Sequence, residues 1–208
     1  MNPNRAATYR PRKASRPILR AVYYLFLVSG ILGLAYAVYA VADAHAYQTI
    51  EKAKFEDVKA APRDEPRKLA SQLVQGSVIG EMEVPRLGIK DIFVEGDTSR
   101  ILRHAIGHIS ETALPGAPGN VVLTGHRDTF FRPLRNIRQG DAITLKTLDG
   151  DFQYEVKSTG VVPPTDVQVL QPSSEPTLTL ITCFPFYYVG SAPNRFIVHA
   201  RQVAPLAR

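Results

Sequence analysis

Residues Ala21 to Ala42 read AVYYLFLVSGILGLAYAVYAVA, 22 positions without a charge. Coiled into a helix at 1.5 Å per residue, the run is about 33 Å long, which matches a hydrocarbon core of about 30 Å. The flank before it is basic: Arg5, Arg10, Arg12, Lys13, Arg16 and Arg20 fall within residues 1–20, with no acid among them. Those six equal the whole excess of 25 Lys and Arg over 19 Asp and Glu, so the chain after residue 20 is neutral overall. Positive flanks stay on the cytoplasmic side of a membrane helix. The expectation is a single-pass membrane protein with a basic cytoplasmic arm (1–20), a transmembrane helix (21–42) and an extracytoplasmic remainder. Tyr23, Tyr24, Tyr36 and Tyr39 lie towards the two ends of the run, as interfacial aromatics do. A cleaved signal peptide is the alternative, because Ala42-Asp43-Ala44 and Ala44-His45-Ala46 both have the A-x-A form. The apolar core of a signal peptide is shorter, roughly 7–15 residues. The basic arm suits anionic lipid head groups better than nucleic acid, since it is short and Tyr9 is its sole aromatic.

Residues 43–75 are polar, charged and Ala-rich, with Pro62 and Pro66 set to interrupt any helix. They read as a partly helical polar spacer. From about Gly76 the texture changes to short alternating runs punctuated by Gly, Pro, Asn and Asp. GSVIGEMEVPRLGIKDIFVEG suggests two strands joined near Pro85–Gly88, and Thr98 to Ala105 a short helical turn. GNVVLTGHR is a buried strand opening into a loop. DAITLKTLDGDFQYEVKSTGVV carries a hairpin signal at Asp149-Gly150. EPTLTLITC and NRFIVHARQV are two further strands. Seven or eight short strands with little helix predict an all-β domain over 76–208, a closed barrel or a sandwich.

Cys183 is the only cysteine in the chain, so no intrachain disulfide can use it. It ends the apolar strand TLTLITC and lies off the inward series Leu178, Leu180, Thr182. A strand end holds a nucleophile rigidly and leaves it reachable. A thiol acting at neutral pH needs a proton-carrying partner. Of the five histidines, His45 lies in the spacer, His104 and His108 flank a Gly-containing turn, and His199 sits on the last strand. His126 repeats the setting of Cys183: it follows the strand VVLTG at its mouth. Arg195 enters the final strand from a Pro-Asn turn, 12 residues after Cys183, a span that suits antiparallel neighbours. A guanidinium there could steady an oxyanion. Each residue alone also has a plain reading, as an inert thiol, a loop histidine and a surface arginine.

Taken together, Thr179-Leu180-Ile181-Thr182-Cys183, Thr124-Gly125-His126 and the late Arg195 resemble the sortases, whose nucleophile signature is TLxTC. The stretch LPGAPGNVVLTGHRDTFFRPL is similar to the histidine region of housekeeping-like and class D members. The resemblance covers about residues 76–204 and implies a closed eight-stranded β-barrel. It also implies that Cys183 is the nucleophile, His126 the general acid/base and Arg195 the oxyanion and substrate clamp, with Thr182 helping to orient substrate. The activity implied is transpeptidation. A secreted protein bearing an LPxTG-like sorting motif is cut between Thr and Gly and passed to an amine of the cell wall or of a pilin. No Asp-Pro-aromatic lid motif occurs in the spacer and no membrane segment follows Val203, which argues against the pilin-polymerising class. Some sortases bind calcium through acidic loops. Here Asp166 and Glu175 stand alone in the 158–176 loop, apart from Asp91, Glu95 and Asp97, so no metal or other cofactor is expected. Two rivals stay open: a hydrolytic cysteine peptidase on the same residues, and a membrane-tethered peptide-binding scaffold with an inert Cys183.

Overall fold

The computed structural model describes residues 16–60, 73–188 and 190–205. Most of the basic arm, and the Pro62 and Pro66 interruption, lie outside the described residues. The chain divides into two compact units, one ending at Ala42 and one running from Asp43.

The first unit is the apolar part of helix α1 (Arg16–Ala60). Among the described residues this is the one helix long and apolar enough to cross a membrane, with a mean hydropathy of 2.1 in its best window. Leu25, Phe26, Leu27 and Val28, four successive positions that go round the helix, are all without protein cover. A helix apolar all round needs an apolar surrounding.

In the second unit α1 continues as residues 43–60, and these are packed against the barrel. Phe55 is buried with Ile92, Val94 and Ala105. The Gln48 side chain donates to His104 O (2.7 Å) and accepts from Ile92 N (2.8 Å). Lys52 pairs with Glu81, and Lys59 with Asp151. The helical first part of the expected spacer is therefore held to the barrel by one aromatic anchor, Phe55, and three polar side chains, Gln48, Lys52 and Lys59. Asp91 lies near the Lys52–Glu81 pair. Burial, foremost, pushes its carboxyl up to about 6; Glu81 adds to the rise, and Lys52 and His45 oppose it.

Eight strands close the barrel: β1 (Val78–Val84), β2 (Ile89–Glu95), β3 (Ile106–His108), β4 (Asn120–Thr124), β5 (Ala142–Thr147), β6 (Asp151–Val162), β7 (Thr177–Phe184) and β8 (Asn194–Pro205). A short helix, α2 (Ser99–Leu102), capped by the Thr98 side chain, crosses from β2 to β3. The order around the barrel is β1-β2-β3-β4-β7-β8-β6-β5, returning to β1. Two pairs are parallel, β2–β3 and β4–β7, and the rest are antiparallel. Closure leaves no free sheet edge. Alternate residues of each strand fill the interior, among them Met82, Phe93, Ile106, Leu123, Leu145, Tyr154, Leu180 and Val198. Gly80 permits the close β1–β5 approach, because a Cβ there would meet Lys146 O at 2.1 Å. Gly88, at φ +66°, closes the turn Pro85–Leu87 between β1 and β2, where the sequence places it. Arg86 in that turn makes a two-pronged bond to Asp141 ahead of β5 and holds its carboxyl below the usual range.

Candidate active site

The site is built on two parallel strands that stop side by side. β4 and β7 are in register from Asn120↔Thr177 to Thr124↔Ile181. One step further, Gly125 N donates to Ile181 O (3.2 Å) and Thr182 Oγ1 donates to Gly125 O (2.7 Å). Cys183 is the next residue of β7, and His126 is the next after Gly125, two positions past the end of β4. On the other side of β7, Cys183 is the cross-strand partner of Arg195. Such partners have Cβ atoms roughly 4.5–5.5 Å apart.

Strand alternation fixes which face each side chain takes. Leu178 and Leu180 of β7 point into the core, as do Val121 and Leu123 of β4 and Val198 and Ala200 of β8. Cys183 and Arg195 fall on the opposite series of their strands and so share one face, and His126 follows the end of β4 beside it. Cys183 is half-buried, as are His126 and Arg195. Among the described residues, neither ring nitrogen of His126 has a hydrogen-bonding partner. Arg195 Nη1 reaches Asn194 O (3.1 Å) and Ala192 O (3.4 Å), which ties it to the turn before β8. Of the three residues singled out in the sequence, Cys183 and Arg195 are direct cross-strand partners, and His126 follows two positions after the end of β4, the parallel neighbour of β7.

Thr182 is different. It continues the inward series, is 2% exposed and donates its hydroxyl to Gly125 O. The side chain expected to orient substrate is instead a clasp between β7 and the residue before His126.

Two polar residues that sequence reasoning passed over brace the loops around this face. Asn120, 6% exposed, opens β4. Its Nδ2 donates to Val169 O (3.0 Å) and Gln171 O (3.3 Å), and its Oδ1 accepts from Thr179 Oγ1 (2.8 Å). It pins the loop before β7 to β4. A cleft of about 350 Å³ under that loop, lined by Asn120, Gln168, Thr179 and His199, continues the outer series of β7 away from Cys183. Arg127, directly after His126, is 7% exposed and donates to Pro185 O (3.1 Å), Tyr188 O (2.6 Å) and Gly190 O (3.0 Å) in the loop after Cys183. The signal for both was a polar residue flush against an apolar strand, which from sequence alone reads as the strand's solvated end.

The acidic residues weighed as calcium ligands are dispersed. Asp166 caps Gln168 N, Glu175 pairs with Arg201, and Glu95 is buried against His108.

The Sortase domain family model matches residues 82–203, more than half of the chain. Sortase D of Bacillus subtilis (strain 168) is 36% identical over 129 residues, covering 62% of this chain and 65% of that one. Sortase A of Listeria monocytogenes is 29% identical over 134 residues, covering 62% of this chain and 60% of its own. The matched part therefore spans less than two thirds of these two relatives. Among solved structures, a Clostridium perfringens Sortase D5 transpeptidase superposes with a TM-score of 0.66 at 30% identity, over 73% of this chain and 94% of that one. The barrel, the shared face and these matches define one class, and the chain belongs to the sortase family. The class D likeness of Leu114–Leu134 is in line with both the B. subtilis and the C. perfringens relatives.

Proposed function

We propose that the protein is a membrane-anchored cysteine transpeptidase that cuts an LPxTG-like sorting motif and transfers the acyl part to an amine of the cell envelope or a pilin. The observation that supports this reading is Arg195 directly across from Cys183 on β8, with His126 following the end of β4, the strand that runs parallel to β7 on its other side. The Cys183 thiolate attacks the carbonyl carbon between Thr and Gly. Arg195 faces the oxygen that gains charge. His126 gives a proton to the departing glycine amine as the C–N bond breaks, leaving a thioester on Cys183. The acceptor amine then attacks the thioester carbon, His126 takes its proton, and the C–S bond breaks to restore the thiolate. A thioester serves this exchange because an amine attacks it far more readily than it attacks an amide. The basic arm places the N-terminus in the cytoplasm and the barrel outside.

The test mixes the full chain in detergent with an LPxTG peptide and excess triglycine, read by mass spectrometry. Cleavage between Thr and Gly with the acyl part joined to triglycine is expected, and none from Cys183→Ala. A free acid as the sole product despite abundant amine would make the protein a hydrolase. Peptide binding without cleavage across a motif library would make it a scaffold.

A further inference from the structure

His126 and Cys183 lie past the end of the β4–β7 ladder, whose last paired residues are Thr124 and Ile181. Something other than the ladder must hold their separation. On the core side it is the Thr182 hydroxyl on Gly125 O. Beyond His126 it is Arg127.

We propose that Arg127 is a positioning residue that sets the distance between His126 and Cys183 by bridging the segment after one to the loop after the other. The proposal rests on the cysteine–histidine reading of the site. A guanidinium 7% exposed is costly to bury unless its donors are met. Here Nη1 and Nη2 reach three carbonyls of the 185–190 loop, Nε lies 3.3 Å from Asp128 Oδ1, and the Tyr188 ring centre stands 5.9 Å from Cζ. Asp128 is largely exposed, so water screens most of its charge, and the loop carbonyls are the main partners. A rigid fork can hold several acceptors in fixed directions at once; an ammonium on a flexible stem cannot. The same loop is also touched from outside by Arg135, whose Nη1 donates to Tyr187 Oη (2.6 Å). That contact restrains the loop without involving His126, and so separates a loop staple from a spacer between the two reactive groups.

Cys183 is the only cysteine, so an alkylating reagent reports on it alone. In detergent, the full chain and its Arg127→Lys, Arg127→Ala and Arg135→Ala variants are compared by three readouts: iodoacetamide alkylation rate against pH, kcat and KM for an LPxTG peptide, and Tm. For Arg127→Lys the expected result is a kcat at least tenfold lower with KM within threefold. Its alkylation midpoint should differ from that of the wild type. Arg135→Ala should leave kcat and midpoint at wild-type values. If Arg127→Ala fails to fold, the lysine variant carries the test. A wild-type kcat and midpoint in Arg127→Lys overturns the proposal, and so does an equal shift in Arg135→Ala. The alkylation profile requires no substrate, so it stands even if the peptide is not one.

Discussion

His108 pairs across β3 and β4 with Leu123, three positions before His126, yet the environments of the two histidines differ in one respect that matters. His108 is 1% exposed and both its ring nitrogens are engaged: Nδ1 with Glu95 Oε2 at 2.7 Å, Nε2 with Ala113 O at 3.0 Å and Thr112 Oγ1 at 3.1 Å. It closes a buried network that ties the ends of β2 and β3 to the loop leading into β4. His126 is half-buried and its ring nitrogens are unpartnered among the described residues. A histidine sealed in the core with both nitrogens on non-reacting partners serves the fold, because no substrate reaches it. One that is half-buried with uncommitted nitrogens can exchange a proton with a bound substrate. The contrast teaches that two histidines borne by neighbouring strands, a few positions apart, can be divided between a sealed polar network and an uncommitted, half-buried position.

The largest effect that tests this contrast comes from His126→Ala. We expect kcat/KM for peptide transfer to fall by about 10³-fold, in line with the loss of a general acid/base, while Tm stays within about 2 °C of wild type. Arg195→Ala should cost about 10²-fold in kcat, the scale of one lost oxyanion donor, again without unfolding. His108→Ala should do the reverse. Leaving Glu95 buried without its partner is expected to cost about 3 kcal/mol of stability by denaturant titration, with activity per folded molecule kept within about threefold. A His108→Ala variant that stays stable but inactive would break the comparison.

Smaller effects probe the helix docked on the barrel. A truncation starting at residue 68 uncovers Ile92, Val94 and Ala105, whereas one starting at residue 43 keeps Phe55 over them. The shorter form should have the lower Tm. Asp91 supplies a pH signature with a definite sign. Its folded carboxyl, near 6, lies above the unfolded value of about 3.9. The folded state therefore holds the proton more tightly, and stability is lost as pH rises from about 4 to 6. Asp91→Asn should raise Tm by a few degrees at pH 7.5 and change it little at pH 4. A rise of equal size at both pH values would rule out the titration as its cause.

The strands, the hairpin at Asp149-Gly150 and the long apolar helix were legible because each is a local pattern of period or run length. Cys183, His126 and Arg195 were legible as polar groups at the ends of apolar strands. Closure of the sheet was not, since alternation records one buried face and not which strand meets which; the barrel and sandwich readings separate only when β5 is seen to return to β1. The roles of His108 and Arg127 also depend on distant partners. Glu95 reaches His108 across a parallel pair, and the carbonyls that hold Arg127 lie 58 to 63 positions away. Residues 43–60 read as a solvated spacer because Lys52 and Lys59 look like surface charges until Glu81 and Asp151 appear opposite them.

The most direct measurement is the intact mass of the full chain, mixed with an LPxTG peptide and quenched in acid before acceptor is added. The account predicts wild type carrying the peptide through its Thr as a hydroxylamine-labile adduct on Cys183, much less adduct on His126→Ala, and unreduced adduct on His108→Ala. A transfer product made by Cys183→Ala, or an adduct that His126→Ala forms as fast as wild type, would contradict it.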